Sequence, residues 1–567
     1  MGAGTEKKEG SAASSSRPPR EVLEQMGGER AFELLQRLIA LDTTNLEDPS
    51  HHREEKRHYV EASRFLAERT RAMGLETRIW DAREELPEGR KHFTAPRPSV
   101  IADLDRGAST TVLVLAHYDV VPVPEEQLSR WQSPPHELSF RPSSGRLYGR
   151  GSNDDLGSGV VGSLMALERL VQRKDLASNV RLLLCPDEET GGAGGIEAIA
   201  EHDHALPEKS PDRILRGDLA LIPDGAPYVA AGCSGVAFID FNVGGSAPLR
   251  DHLALGEGVL AFDATARTWV SRLPSPDHPD HGAPDPHITG RATLTKLDLE
   301  SEATGGSGEP RSLPRLVRAH AESDAANQIA ESVTLTFQGP ASGLDALFAF
   351  FEQHVIEPYR LVQSKGDAPR ASLKGSAPTR ATIGLVGRAG HAGYPHKASN
   401  PVPVVVALLR ASAQERVLDA EATCRGGYTL DLRSPPEMPA DDVLALFDNR
   451  FRLLQTELPS ATYQAPHARR RSGYALDPSH PAVLAVRKAF EQVAGGAVGV
   501  YGEYGGTDAS ALRDLTTPGG RPLPAIVIGS MDRDARIHDA EESADPKLLG
   551  QVQDVLLRCI EAWRPPE

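Results

Sequence analysis

Apolar residues recur at two different spacings along this chain, and the changes between them mark its elements. From about Glu29, AFELLQRLIAL places apolar side chains three and four positions apart. YVEASRFLAERTRAMG does the same and closes on Gly74, so both segments predict helices. Short unbroken apolar runs follow, namely SVIADL, TVLVLAHYDVV, VRLLLCP and DLALIPD, and they predict buried strands. SGVVGSLMALERLVQR, from Ser158, predicts a helix between two of them. This alternation implies an α/β fold: a mostly parallel sheet flanked by helices. Past Asp224 the texture changes. GVAFIDFNVGG predicts a strand, and the Pro-, Gly-, Asp- and His-rich stretch at about 246–320 predicts loops. Patterning returns with ESVTLTF, LDALFAFFEQHVI, ATIGLVG and PVPVVVALLRA. TCRGGYTLDLRSPPE then predicts a strand and DDVLALFDNRFRLLQTEL a helix. From about Ser479 the first alternation resumes, with helix AVLAVRKAFEQVAGG, strand PAIVIGS and closing helix PKLLGQVQDVLLRCIEAW.

In open α/β sheets, binding sites lie beyond the carboxyl ends of the strands. Five chemistry-bearing segments sit there: VLVLAHYDVVP, YGRGSNDDLGSG, VRLLLCPDEETGG, LALIPDG and IVIGSMDRDARIHDAEE. They supply His117, Asp154, Glu189, Asp224 and His538. Mixed oxygen and nitrogen donors suit two divalent metal ions, zinc first, with cobalt or manganese able to use the same set. Three carboxylates and a hydroxide would balance the charge of two such ions. Asp154 is assigned the carboxylate shared between them. Asp119, two residues beyond His117 on the same strand face, can fix the tautomer of that imidazole. Glu188 adjoins a ligand but points elsewhere, which suits the general base. Asp154–Asp155 also reads as a helix start, where carboxylates are favoured. His278, His281 and His287 lie among prolines in DHPDHGAPDPH and read as a solvated loop rather than a metal site.

Composition narrows the classes. The chain has 567 residues, enough for more than one domain, and a formal net charge of −17. That charge argues against nucleic acid or an anionic membrane surface as partner. Four cysteines without a C-x-x-C pair do not make a disulfide framework, so a cytoplasmic location is expected. No apolar run is long enough to span a membrane. The opening MGAGTEKKEGSAASSSRPPRE lacks a secretory pattern, has Glu6 where myristoylation needs Ser or Thr, and reads as a disordered tail over 1–25.

Taken together, AHYDVVPVPEE, YGRGSNDD and PDEETGG resemble the di-zinc exopeptidase and deacylase family. That family includes glutamate carboxypeptidase G, succinyl-diaminopimelate desuccinylase, aminoacylase, carnosinase, carboxypeptidase S and the PepV-like dipeptidases. The resemblance runs from about Glu29 to the end of the chain. It implies that His117 and Asp224 bind one zinc and Glu189 and His538 the other, with Asp154 bridging, Asp119 supporting His117 and Glu188 as acid/base. It also implies an α+β lid domain inserted in the catalytic domain. The implied boundaries are 26–232 and 473–567 for the catalytic parts and 233–472 for the lid, enlarged by the stretch at 246–320. In the lid, GRAGHAGYP resembles the motif whose histidine polarises the scissile carbonyl, here His391. YTLDLRSPPE resembles the strand whose arginine holds the substrate carboxylate, here Arg433, and Asn400 matches a polar lid position. YGGTDAS resembles a glycine-rich substrate loop, placing Gly505, Gly506 and Thr507 at the substrate. Leu156 departs from the lysine that the family often has after the two aspartates.

The expectation is a metallopeptidase that cleaves a small peptide next to a free carboxylate. Asp at position 224 resembles the dipeptidase, carnosinase and carboxypeptidase S branches. The same chemistry in an N-acyl-amino-acid deacylase is the alternative, and a metal-binding member without turnover is a remote one. A phosphoesterase would need basic residues around the metals, and Arg150 is the nearest that the motifs supply. The enlarged lid implies either a monomer serving its own site or a homodimer joined through the lid.

Overall fold

Alternate residues of the strand Thr111–His117 face opposite ways, and both directions are apolar. Val112, Val114 and Ala116 enter one core, with residues of the helices Glu29–Ile39, Tyr59–Ala72, Ser163–Val171 and Pro546–Ala562. Leu113 and Leu115 enter a second core with the helix Ile196–Ala205 and the turn Asp508–Leu512. A strand apolar on both faces must be sandwiched, which is why Val112–Ala116 contains no polar residue. This computed structural model describes residues 17–45, 58–86, 96–123, 125–207, 210–275, 288–301, 312–321, 328–363, 379–392, 398–465 and 470–564.

Among the described residues, the sheet around that strand has nine strands. Its order is Glu76–Asp81, Pro98–Leu104, Asn179–Cys185, Thr111–His117, Leu219–Gly225, Ala525–Gly529, Val229–Cys233 and Tyr474–Ala475, with Val500–Glu503 also pairing Val229–Cys233. The centre is parallel: Thr111–His117 pairs both Asn179–Cys185 and Leu219–Gly225 in that sense, and Leu219–Gly225 pairs Ala525–Gly529 likewise. The strands on either side join antiparallel, so the sheet is mixed rather than uniformly parallel. The parallel centre is the part that matters for the site, because it aligns the carboxyl ends of three strands carrying His117, Glu188–Glu189 and Asp224.

A second, antiparallel sheet, of ten strands among the described residues, begins at Gly235 and ends with Arg470–Arg471. Its long central strand, Thr423–Ser434, lies between Gly235–Val243 and Arg291–Ser301. Four helices, Leu249–Ala266, Ala341–His354, Pro401–Gln414 and Ala440–Glu457, share one core with it. The loop-rich reading of 246–320 is corrected here. That stretch contains the helix Leu249–Ala266 and the strands Arg291–Ser301 and Arg315–Ala321. Leu249, Leu253, Val259 and Phe262 on the helix, and Leu294, Leu297 and Leu299 on the strand, which bulges between Leu294 and Lys296, are buried in the lid core. His278, His281 and His287 lie outside the described residues. The expected tail over 1–25 is corrected at its end. Arg20–Gln25 is helical, Leu23 is buried, and the Gln553 amide donates to the Met26 carbonyl at 2.7 Å. Residues 1–16 lie outside the described residues. Among the described residues, no helix is long and apolar enough to cross a membrane.

An aromatic cluster locks the lid helix Ala440–Glu457 to its sheet. The Phe241 ring lies 5.6 Å from Phe447, 5.7 Å from Phe451 and 6.3 Å from Tyr463, centroid to centroid. Phe241 is fully buried, so Phe241→Ala should cost about 3–5 kcal/mol. The expected readout is a lower denaturation midpoint in calorimetry. A loss below about 1 kcal/mol, the level of a surface substitution, would show that this cluster does not carry the lid.

Candidate active site

The chain leaves the strand Thr111–His117 with a buried histidine whose two nitrogens face different ways. Nδ1 lies 3.0 Å from the Asp119 carbonyl and 3.3 Å from its carboxylate, which holds the ring. Nε2 faces Asp224 at 3.6 Å and Asp155 at 3.7 Å. Asp119 is fully buried and does more than hold His117. Its carboxylate also accepts from Asn45 Nδ2 at 2.8 Å and from the backbone N–H groups of Glu188 and Glu189 at 3.1 and 3.2 Å. It thereby fastens the histidine strand to the turn that carries the two glutamates. That turn, Glu188–Thr190, is flanked by left-handed Asp187 and Gly191. Asp187 is held by Arg97, Thr190 and the Gly194 N–H.

Asp154 and Asp155 open a widened helical turn over Asp154–Gly162. Its bonds span five residues, as in Leu156 N to Gly151 O at 3.1 Å and Ser158 N to Asn153 O at 2.7 Å. Such turns cluster at functional sites. Here both aspartates line the same cleft. A Cβ at Gly157 would come within 2.2 Å of the Ser152 carbonyl, so the wide turn needs glycine there.

His538 arrives on a strained loop. Arg536, His538 and Glu541 all have positive φ, at 52°, 60° and 66°. Non-glycine residues hold that conformation only where their surroundings over-determine it. Arg141 pairs Glu541, and Arg150, fully buried beside Trp131, pairs Glu542 at 2.5 Å. Arg130 holds Asp539 at 2.8 Å. The result places His538 Nε2 at 3.1 Å from Glu189 Oε1.

These residues form two groups whose ligand atoms lie within 4.8 Å of one another: His117, Asp155 and Glu189, and Asp154, Asp155 and Asp224. Asp155 belongs to both groups; Asp154, expected to be the shared ligand, belongs to one. Electrostatics agree with a cation site. Burial, then the charges of Asp224 and Glu542, push Asp154 up to about 7. Burial and then Asp154 push Asp155 well up. Burial opposes a charge on His117, but bonds to Asp119 and Asp224 outweigh it and hold its pKa well above the usual range. Burial likewise opposes a charge on His538, and Glu189 outweighs it, so that pKa is raised. The donor set therefore fits divalent cations.

The remaining predicted residues divide. Arg433, Gly505, Gly506 and Thr507 line the same cleft as His117, Glu188, Glu189, Asp224 and His538. Arg433 is buried and grips Asp431 with Nε at 2.6 Å and Nη2 at 2.8 Å. Its Nη1 lies 3.8 Å from where a Cβ on Gly506 would sit. Asn400 caps the helix Pro401–Gln414: its Oδ1 accepts from Val402 N at 3.0 Å and its Nδ2 donates to the Leu294 carbonyl at 2.6 Å. Both ends of its amide are thus used within the lid. His391 pairs through its backbone with Gln328, and its side chain lies outside the described residues. Asn45, Phe238, Arg470, Arg471 and Glu503 were not foreseen. Asn45 holds Asp119, and the other four line the cleft. None of them stands in a motif; the ARRRS run was the one available signal for the two arginines.

The model of peptidase family M20/M25/M40 matches residues 113–562. The chain belongs to that family. An uncharacterised metallohydrolase of Methanocaldococcus jannaschii is 29% identical over 182 residues, covering 31% of this M20 chain and 41% of that protein. The cysteinylglycine-S-conjugate dipeptidase of Corynebacterium striatum is 30% identical over 177 residues, covering 29% of this chain and 37% of the relative. The M20 chain thus spans about two fifths of the length of these curated relatives. Its fold is similar to that of the dipeptidase Dug1p of Saccharomyces cerevisiae, with a TM-score of 0.52 at 16% identity, covering 95% of this chain and 97% of the other.

The protonation pattern predicts how the metal-free M20 chain responds to pH. Raised folded-state pKa values at Asp154, Asp155, His117 and His538 mean that the folded protein keeps protons the unfolded chain releases. Their stabilisation is complete below the unfolded aspartate value of about 4 and is lost as pH rises through the folded values. The melting temperature of chelated protein should fall between about pH 4 and pH 7, and added Zn²⁺ should restore it at pH 7. A chelated protein whose melting temperature rises over that interval would contradict the assignment.

Proposed function

We propose that the protein is a zinc-dependent exopeptidase, dipeptidase or carboxypeptidase-like, that hydrolyses an amide bond next to a free carboxylate. The observation that supports it is a single cleft containing both a buried cluster of metal-ligating side chains and the Arg433 guanidinium. In this reading His117 and Asp224 hold one zinc, Glu189 and His538 hold the other, and the Asp154–Asp155 pair supplies the shared carboxylate. Bound zinc would polarise the scissile carbonyl and make water a nucleophile near neutral pH.

The chain's own residues do the rest. Burial pushes the Glu188 carboxyl well above the usual range, against the pull of Arg471. A carboxyl so tuned can take a proton from the attacking water and deliver it to the leaving amine. Asp119 keeps the proton of His117 on Nδ1 and leaves Nε2 for the metal. Arg433, stiffened by its two-point grip on Asp431, offers Nη1 to the substrate carboxylate beside the Gly505–Gly506 backbone. Val236 and Phe238 from the lid give the cleft an apolar wall. Four free, buried cysteines support a reducing, cytoplasmic setting. We read the assembly as a monomer or a homodimer through the lid, with His391 serving its own cleft or a partner's.

Substrate panels test this reading. Free-acid dipeptides should be cleaved, and their C-terminally amidated forms cleaved poorly. Arg433→Ala should lose about 2–5 kcal/mol in kcat/KM on the free acids, the cost of an unpaired charged contact, and change little on the amides. Equal losses on acids and amides would contradict the carboxylate role. Faster turnover of N-acetyl amino acids than of any dipeptide would replace the peptidase by a deacylase.

A further inference from the structure

The strand that leads the chain out of the lid delivers a guanidinium to the catalytic turn. Arg471 Nη1 donates to Glu188 Oε1 at 3.1 Å, and its Nε donates to the Gly191 carbonyl at 2.9 Å. Nη2 lies 3.6 Å from Asp508 Oδ1, and Nε 3.6 Å from Glu197 Oε1. The side chain is only 6% exposed. Its backbone pairs with Val236, on the first strand of the lid sheet and in the cleft wall. One residue therefore touches the turn carrying Glu188, the glycine-rich loop at Asp508, and the lid.

Two features show that the turn is shaped for this contact. Gly192 has φ +69, and a Cβ there would lie 2.3 Å from Arg471 Nη2. The turn thus leaves room for the guanidinium. Among the described residues, Arg471 is the one side chain that hydrogen-bonds the Glu188 carboxylate, and it uses a single oxygen. Oε2 stays available to the reacting proton. Gly191 marks the end of the same turn, so the two bonds clamp it at its first residue and just past its last.

We propose that Arg471 is a positioning residue for Glu188, anchored in the lid, which makes the orientation of the base depend on the lid being seated. This rests on the reading of Glu188 as the base. A misplacement of about 1 Å in a reacting group can cost ~10²-fold in rate, and the clamp prevents that displacement.

The test compares Arg471→Ala, Arg471→Lys, Glu188→Gln and the Ala/Gln double variant on the dipeptide that wild type cleaves fastest. Zinc content and melting temperature are measured alongside. Arg471→Ala should lose ~10²-fold in kcat with KM and zinc content little changed, and a lower melting temperature because buried Glu188 and Asp508 lose their counter-charge. Millimolar guanidinium should restore part of the rate. The double variant should be no slower than Glu188→Gln alone, because the arginine acts through the glutamate. Wild-type kcat in Arg471→Ala, or losses that multiply in the double variant, would overturn the proposal while leaving Glu188 as base. Near-normal turnover in Glu188→Gln would instead remove the base reading. If Arg471→Ala does not fold, Arg471→Lys decides. A lysine ammonium cannot reproduce the two-point clamp on Glu188 and Gly191, so kcat should fall in a folded protein, and an unchanged kcat would overturn the clamp.

Discussion

Repulsion among buried carboxylates is the constraint on which this structure turns. Asp154, Asp155 and Glu189 are buried, and Asp224 nearly so, with ligand atoms in groups less than 5 Å across. Two like charges 4 Å apart repel by about 4 kcal/mol even at an effective dielectric of 20. No fold gathers such a set without a compensating interaction. Protons supply it in the metal-free chain, which is why the aspartates and histidines hold theirs so firmly. Divalent cations supply it more strongly and leave the groups free to act as ligands. The surrounding architecture keeps the donors from relaxing apart.

That architecture works by fastening short, awkward segments to regular ones. The parallel strands end where His117, the glutamate turn and Asp224 begin. Asp119 ties the first two together through side-chain and backbone bonds. The loop with His538 is left-handed at three non-glycine residues, and Arg130, Arg141 and Arg150 hold its acidic end. The lid then closes the picture from the other side. Its strands bring Val236, Phe238 and Arg433 to the cleft, and its return strand brings Arg471 to the catalytic turn. Residues from both sheets thus line one cleft.

The site was legible where chemistry follows an apolar run. Val112–Ala116 and Asn179–Cys185 announce buried strands, and the histidine and acids just past them stand out against that background. The helix Leu249–Ala266 and the strand Arg291–Ser301 were hidden by composition. Their apolar residues keep helical and alternating spacing, but the prolines and histidines between them dominate the window. The strand is stabilised by pairing with Thr423–Ser434, far along the chain, which no local pattern reports. Asn45 and Arg471 were illegible for a similar reason: each acts on a residue more than 70 positions away. Asn400 shows the converse. Its place after a recognisable motif suggested substrate, but its Oδ1 caps the helix that follows and its Nδ2 donates to Leu294 on a neighbouring strand.

In the proposed reading this carboxylate cluster is a two-metal hydrolytic centre. The most direct measurement titrates Zn²⁺ into fully chelated protein while following bound metal and dipeptide hydrolysis on the same samples. Activity should be absent without metal and should reach its plateau as the second equivalent binds. Full activity with less than one equivalent bound, or with none, would contradict that reading.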